Sequence, residues 1–268
     1  MERKLGINID CLCFRKTDEL TTLKLIRDVG FDCFFTNTYK DEAVAKIKEE
    51  ADRLGLDFKF IHSPFRGINT FWEEGDGYLP LMNTIKESID SASKYGINMI
   101  IMHTSSGWHP PKVCDLGLSR FDEIVDYATK RDVKVAFENL RKVGNHACLM
   151  ERYEDNPLVG FCYDAGHEHC YTETVPYIDI YHRVMLTTHI ADNLGRDRAN
   201  LEADGDFHWL PFDGNCDYKK MIDKMDRFGY TDSLNLEVFN TTRPEYKEMT
   251  DEEFIKTAYD RIKKISLL

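Results

Sequence analysis

Lys134-Val-Ala-Phe-Glu138, Val159-Gly-Phe-Cys-Tyr-Asp164, Leu186-Thr-Thr-His189 and Leu234-Asn-Leu-Glu237 are short β-rich runs, and each closes on a residue able to bind a metal ion. Upstream, Phe58-Lys-Phe-Ile-His62 and Met99-Ile-Ile-Met-His103 end the same way, so six successive candidate strands share the feature. Side chains alternate across a strand, which puts the closing residues on one face with Ala136, Cys162, Thr187 and Asn235 and turns Val135, Phe137, Leu234 and Leu236 to the other. The large apolar set should meet helices. The smaller, more polar set should then face inward, with all six closing residues around one mouth. A lone strand-end His or Asp more often caps a loop or satisfies a backbone group than binds an ion. Repetition with constant parity is what points to one shared metal or catalytic site.

Working outward, we read strands at 5–10, 32–36, 57–62, 99–103, 134–138, 159–164, 184–189 and 233–238, each followed by a helix-period segment. The helices carry their own punctuation. Thr17 precedes Leu20, Leu23 and Ile26, with Gly30 after; Asp41 precedes Val44, Ile47 and Leu54, with Gly55 after; Leu81, Ile85, Ile89 and Ala92 lead to Gly96. Thr250 and Glu253 form a capping box at the last helix. The segments 140–156 and 170–183 read as weaker helices. Eight βα units in 268 residues predict an α/β fold, a (β/α)8 TIM barrel formed as a single domain over 1–268. An open doubly wound sheet uses the same alternation, but Asp10-Cys-Leu-Cys-Phe14 stands where a Gly-rich phosphate loop would follow the first strand. The long connections 63–77 and 190–216 both leave strand C-terminal ends, the face on which such barrels build active sites.

Composition narrows the partners. The net charge of −12 disfavours a phosphate backbone, so no nucleic acid is expected. The eight cysteines include no CxxC pair and read as reduced thiols. Met1-Glu-Arg-Lys runs straight into strand-like Leu5–Ile9, and no apolar run approaches a membrane span, so a cytoplasmic protein without a membrane partner is expected. Homo-oligomerisation is left open. Three carboxylates and one imidazole at Glu138, Asp164, His189 and Glu237 make an oxygen-rich set suited to one divalent ion: Mn2+, Zn2+, Mg2+ or Co2+.

His62-Ser-Pro64, Glu138-Asn139, Asp164-Ala-Gly-His167, His189-Ile-Ala-Asp192, Asp206-Phe-His208-Trp-Leu-Pro-Phe-Asp-Gly214 and Glu237 together resemble the xylose-isomerase-like barrels, which include sugar phosphate isomerases and epimerases and the endonuclease IV family. The likeness spans nearly the whole chain. It implies that Glu138, Asp164, His189 and Glu237 bind one metal and that Glu138 and Glu237 flank the substrate carbon as an acid/base pair. The substrate implied is a small carbohydrate passing through an enediolate. His167 would then contact a substrate oxygen or orient a ligand, with His62, His103 and His208 as further substrate contacts. Phe71, Trp72 and Trp108 are candidates for an apolar wall, or for ordinary loop packing. Arg196 or Arg198 could meet a phosphate or carboxylate, or be solvated charges. One departure is Gly144, where ketose epimerases of this group carry a second glutamate.

The endonuclease IV-like enzymes offer the main alternative, since their nine ligands to three Zn2+ have counterparts at His62, His103, Glu138, Asp164, His167, His189, Asp206, His208 and Glu237. That likeness implies phosphodiester hydrolysis. Mouth loops rich in Asp41, Glu42, Glu73, Glu74, Asp76, Glu202, Asp204 and Asp206 weigh against it. Lyase or dehydratase chemistry on the same barrel, and a metal-binding protein without catalysis, complete the alternatives.

Overall fold

The computed structural model describes residues 3–268; Met1 and Glu2, the start of the polar lead-in, lie outside them. Eight strands form one sheet: β1 Leu5–Asn8, β2 Cys33–Thr36, β3 Asp57–His62, β4 Met99–Met102, β5 Lys134–Glu138, β6 Val159–Asp164, β7 Met185–His189 and β8 Leu234–Leu236. They run in the order β7-β6-β5-β4-β3-β2-β1-β8, and every paired neighbour is parallel. The two ends meet. Ile190 bridges Leu236 in parallel, its N–H donating to the Asn235 carbonyl at 2.8 Å while the Glu237 N–H donates to the Ile190 carbonyl at 3.0 Å. The result is the expected barrel, nearly closed.

Among the described residues ten helices surround it: α1 Glu19–Val29, α2 Asp41–Leu54, α3 Leu79–Lys94, α4 Asp115–Thr129, α5 Val143–Arg152, α6 Ala165–Tyr171, α7 Tyr177–Tyr181, α8 Tyr218–Arg227, α9 Pro244–Glu248 and α10 Asp251–Ser266. Their apolar stripes pack on the outer sheet face in one cluster that includes Val135, Phe137, Leu234 and Leu236. The Thr250–Glu253 capping box opens α10 as expected. Gly30, at φ 108°, ends α1 by donating its N–H to the Arg27 and Ile26 carbonyls, a conformation that favours glycine. No helix among the described residues is long and apolar enough to cross a membrane.

The predicted parity holds for β5 to β8. Ala136 and Cys162 sit in the interior cluster, and the Asn235 Nδ2 donates to Thr187 Oγ1 at 3.1 Å. The interior is less polar than expected, because Phe35, Phe60, Met99 and Ile101 fill it from β2, β3 and β4. A barrel centre is a packed core, and two polar strands leave volume that bulky residues must occupy. Gly6 also faces inward; a Cβ there would lie 2.2 Å from Asn235 Oδ1.

Three strands stop earlier than expected, β1 at Asn8, β4 at Met102 and β8 at Leu236, so His103 and Glu237 follow β4 and β8 instead of closing them. The weak segments resolve into α5, α7 and a 3-10 turn at His182–Val184. The helix α6 is unanticipated. It starts directly after β6 because the Asp164 side chain accepts the His167 N–H at 2.5 Å, an N-cap inside a strand-to-helix turn.

Candidate active site

Glu138, at the end of β5, has no exposed surface. Its Oε2 lies 3.4 Å from His62 Nε2 and 3.1 Å from His103 Nε2; its Oε1 lies 3.0 Å from His167 Nδ1 and 3.4 Å from His189 Nδ1. Despite this crowding, neither oxygen has a partner in hydrogen-bonding geometry, and neither does either nitrogen of His189. Buried carboxylate oxygens are ordinarily satisfied, so atoms left aimed at one another in this way suit a shared cation. Ligand atoms of Glu138, Asp164, His189 and Glu237 all lie within 4.8 Å of one another, as do those of His62, His103 and Glu138 and those of His62, His189 and Glu237. The residues therefore fit a divalent metal.

Three further imidazoles are fixed by backbone. His62 Nδ1 lies 3.1 Å from the Ser63 carbonyl, His167 Nδ1 lies 3.0 Å from that of Asn139, and His208 Nδ1 lies 3.0 Å from that of Glu237. A carbonyl can only accept, so each Nδ1 carries a proton and each Nε2 turns inward. Backbone-anchored imidazoles of this kind are the usual supports of metal sites. The inward atoms meet carboxylates: Asp206 Oδ2 is 3.0 Å from both His167 Nε2 and His208 Nε2. His208 reaches this position with φ 48°, in the left-handed region.

The charges are strongly interdependent. Burial alone would raise the Glu138 carboxyl, but the His189 and His103 imidazoles outweigh it and hold the group well below the usual carboxylate range. Asp164 is pushed up to about 7 by burial, despite His167, with Glu138, Asp206 and Glu237 adding like charge. Burial pulls His208 down, but Asp206 more than reverses this and lifts it to about 10. His167 and His189 also rise well above the ordinary imidazole value against their burial, each drawn by adjoining carboxylates, and His189 by Cys162 as well. His103 falls, chiefly through burial.

Above this ring opens a cavity of about 220 Å³, walled by the site residues together with Phe65, Ser105, Arg141, Tyr171 and Asp204. Phe65 stacks on His103 at 3.9 Å between ring centroids. Some sequence candidates sit elsewhere. Phe71 and Trp72 are buried against Phe121, and the Trp72 indole donates to the Thr104 carbonyl at 2.8 Å, so they pack the loop instead of facing the mouth. Trp108 stands behind the wall, edge-on to Tyr171 at 5.4 Å, and Arg196 donates to the Tyr171 carbonyl at 3.3 Å with its guanidinium 5.2 Å from the Trp108 ring. Arg198 is a surface partner of Glu173. Arg141 and Tyr171 take the wall positions. The one sequence signal for Arg141 was its place three residues after Glu138, next to a strand end.

A parallel eight-stranded barrel with a buried ring of carboxylates and imidazoles at its C-terminal mouth defines a TIM barrel carrying a candidate metal centre. Residues 23–264 match the xylose isomerase-like TIM barrel family, and the chain belongs to that family. Among proteins similar in sequence is y4fM of Sinorhizobium fredii, described as uncharacterized, 26% identical over 180 residues that span 62% of this chain and 54% of that one. Similar folds include the D-psicose 3-epimerase of Clostridium cellulolyticum H10 solved with D-tagatose (TM-score 0.75, 14% identity, 98% of each chain). The 3-keto-D-glucoside 4-epimerase YcjR of E. coli is another (0.73, 14%, all of both chains), as is an L-ribulose 3-epimerase (0.72, 16%, 99% of this chain and 95% of that one).

Proposed function

We propose that the protein is a metal-dependent isomerase or epimerase acting on a small sugar, sugar phosphate or sugar-like keto compound. The observation that carries this reading is that Glu138 and Glu237 belong to one four-residue ligand group and both line the same small cavity. Solved relatives of the same fold that act on ketoses or keto-sugars support it.

Glu138, Asp164, His189 and Glu237 would hold the ion, a Mn2+, Zn2+, Mg2+ or Co2+, which when bound supplies Lewis acidity to a substrate carbonyl. The two glutamates move the proton: one takes it from the carbon beside the carbonyl, and its return to that carbon from the opposite face gives the epimer, whereas delivery to the former carbonyl carbon, with a hydroxyl proton passing from one oxygen to the other, gives the isomer. The depressed Glu138 carboxyl is ionised at neutral pH, as a base must be. His167, His62, His103 and His208 present ring N–H or lone pairs to substrate hydroxyls, while Phe65 and Leu140 keep water from the reacting carbon.

A second reading rests on a specific observation. His62, His167 and His208 share the backbone-anchored, inward-Nε2 arrangement, and Glu138 belongs to two ligand groups at once. That supports an endonuclease IV-like phosphodiesterase with three Zn2+. Elemental analysis of the purified protein, with proton NMR of candidate ketoses in D2O, separates the two. About one ion per chain and loss of a sugar C–H signal, abolished in Glu138→Gln and Glu237→Gln, is expected. About three zincs per chain with cleavage of abasic-site DNA would overturn the isomerase reading.

A further inference from the structure

The lining of the cavity holds two chemically distinct groups. One is the ring of ligands. The other, Arg141, Tyr171 and Asp204, contains the one arginine of an otherwise acidic mouth. Arg141 leaves the loop after β5 and lies flat over the Tyr171 ring, its guanidinium carbon 3.9 Å from the centroid. Tyr171 is in turn stacked on His167 at 5.2 Å, which ties this group to the ring of ligands. The Arg141 side chain is only 17% exposed, and its Nε is buried without a hydrogen-bond partner.

What this group accepts is already visible. Asp204 Oδ1 receives the Arg141 Nη2 at 2.7 Å and the Tyr171 hydroxyl at 2.6 Å, so one carboxylate oxygen is held by a guanidinium and a phenol together. Yet the Asp204 side chain is 72% exposed and reaches in from the long loop between β7 and α8. The Asp204 side of this pair is open to water, and its Oδ1 also accepts the Asp206 N–H at 3.3 Å, so Asp204 is an occupant that a substrate carboxylate would have to displace. A guanidinium fork with an idle Nε suits a planar carboxylate, which it can grip through two parallel N–H bonds. A dianionic phosphate is usually met by several Lys or Arg side chains, and Arg141 is the one such residue in the wall.

We propose that Arg141 and Tyr171 form a carboxylate-receiving fork, that Asp204 occupies it when no substrate is bound, and that the substrate is a sugar acid bearing a carboxylate distal to its carbonyl. This rests on the isomerase reading for the chemistry at the ring of ligands. Arg141 is here a specificity residue. Asp204 competes for it.

The test is calorimetric binding to the metal-loaded protein of three probes: a ketohexose, the ketohexuronate with a carboxylate on C6, and the ketohexose 6-phosphate. The wild type should bind the uronate at least about ten-fold more tightly than the ketose, the scale of a charge-assisted hydrogen bond. Arg141→Gln should weaken uronate binding at least about ten-fold more than ketose binding and so remove that preference, with Arg141→Lys intermediate. Asp204→Asn, which removes the competing carboxylate, should tighten uronate binding by up to about five-fold. Should Arg141→Gln not fold, Asp204→Asn and Arg141→Lys carry the test. Equal binding of ketose and uronate, no uronate binding, tighter binding of the phosphate ester, or weakening of both sugars alike in Arg141→Gln would each overturn the proposal. Uronate preference without solvent deuterium exchange into any probe would leave the fork standing and remove the isomerase reading.

Discussion

His146 is a buried weak point whose cost is predictable. It lies on α5, fully buried, edge-on to Phe161, Tyr177 and Tyr181 at 5.3, 5.8 and 5.2 Å, and neither ring nitrogen has a hydrogen-bond partner. Burial pushes it down to about 4 from 6.5, against a weaker upward pull from the Phe137 carbonyl. A histidine with a depressed folded value contributes stability that is complete above the unfolded value and is lost as pH falls toward the folded one. The window is therefore 6.5 down to 4. At about pH 4.5 the unfolded imidazole is charged and the folded one largely neutral, a loss of about 2–3 kcal/mol relative to neutral pH. Other groups titrate in the same range, so the measurement is a difference. Urea unfolding of wild type and His146→Phe at about pH 7.5 and about pH 4.5 should show the variant losing about 2–3 kcal/mol less than wild type across the interval. Equal losses in the two proteins would refute the assignment of a neutral, desolvated imidazole at this position.

Two further perturbations test the packing around the barrel. Gly117→Ala would set a Cβ 2.0 Å from Trp72 Cε3, and that indole is held by the Thr104 carbonyl; overpacking of about 1–3 kcal/mol should outweigh the gain of up to about 1 kcal/mol in helix propensity, visible as a lowered Tm by calorimetry. Thr250→Ala removes one half of the α10 capping box and should cost about 1 kcal/mol by urea unfolding, whereas Thr250→Ser should keep nearly all of it.

The barrel was legible because its signal repeats: six strands that end on, or are directly followed by, a ligand type, with helix stop signals such as Gly30 and Gly55 between them, leave few alternatives. The register around the ring followed from alternation alone. Elements without a period were not legible. The helix α6 is too short to show a 3.6-residue pattern, and its start is disguised because Asp164 ends the strand and caps the helix at once. Large residues inside the barrel escaped notice because a strand buried on both faces has no polar side to mark its direction, as Phe35 and Phe60 show. Loop residues fared worst. Trp108 and Arg196 were plausible by chemistry, but which side chains face a cavity depends on loop path, and the path of 190–216 is fixed by a tertiary feature: Asp192 accepts the N–H groups of Asn193, Phe212 and Cys216.

Asp192 also clarifies what Glu138 is for. Both are buried carboxylates near the same mouth, 1% and 0% exposed. Removing a charge from water costs several kcal/mol, and a structural carboxylate recovers this through fixed donors, as Asp192 does with three backbone N–H groups at 2.7–3.0 Å. Glu138 receives no such bond at either oxygen; it is surrounded by the imidazoles of His62, His103, His167 and His189 at 3.0–3.4 Å. Lack of partners alone does not define a ligand, since His146 has none and sits among aromatic rings. The combination does: unsatisfied atoms, several ligand types within 4.8 Å, and a neighbour, His62, whose other nitrogen is already tied to a backbone carbonyl. Three backbone donors go to Asp192 and none to Glu138, so the surroundings of the second carboxylate suit a cation, and Arg141 lines the same cavity, where the proposed fork would take an anion.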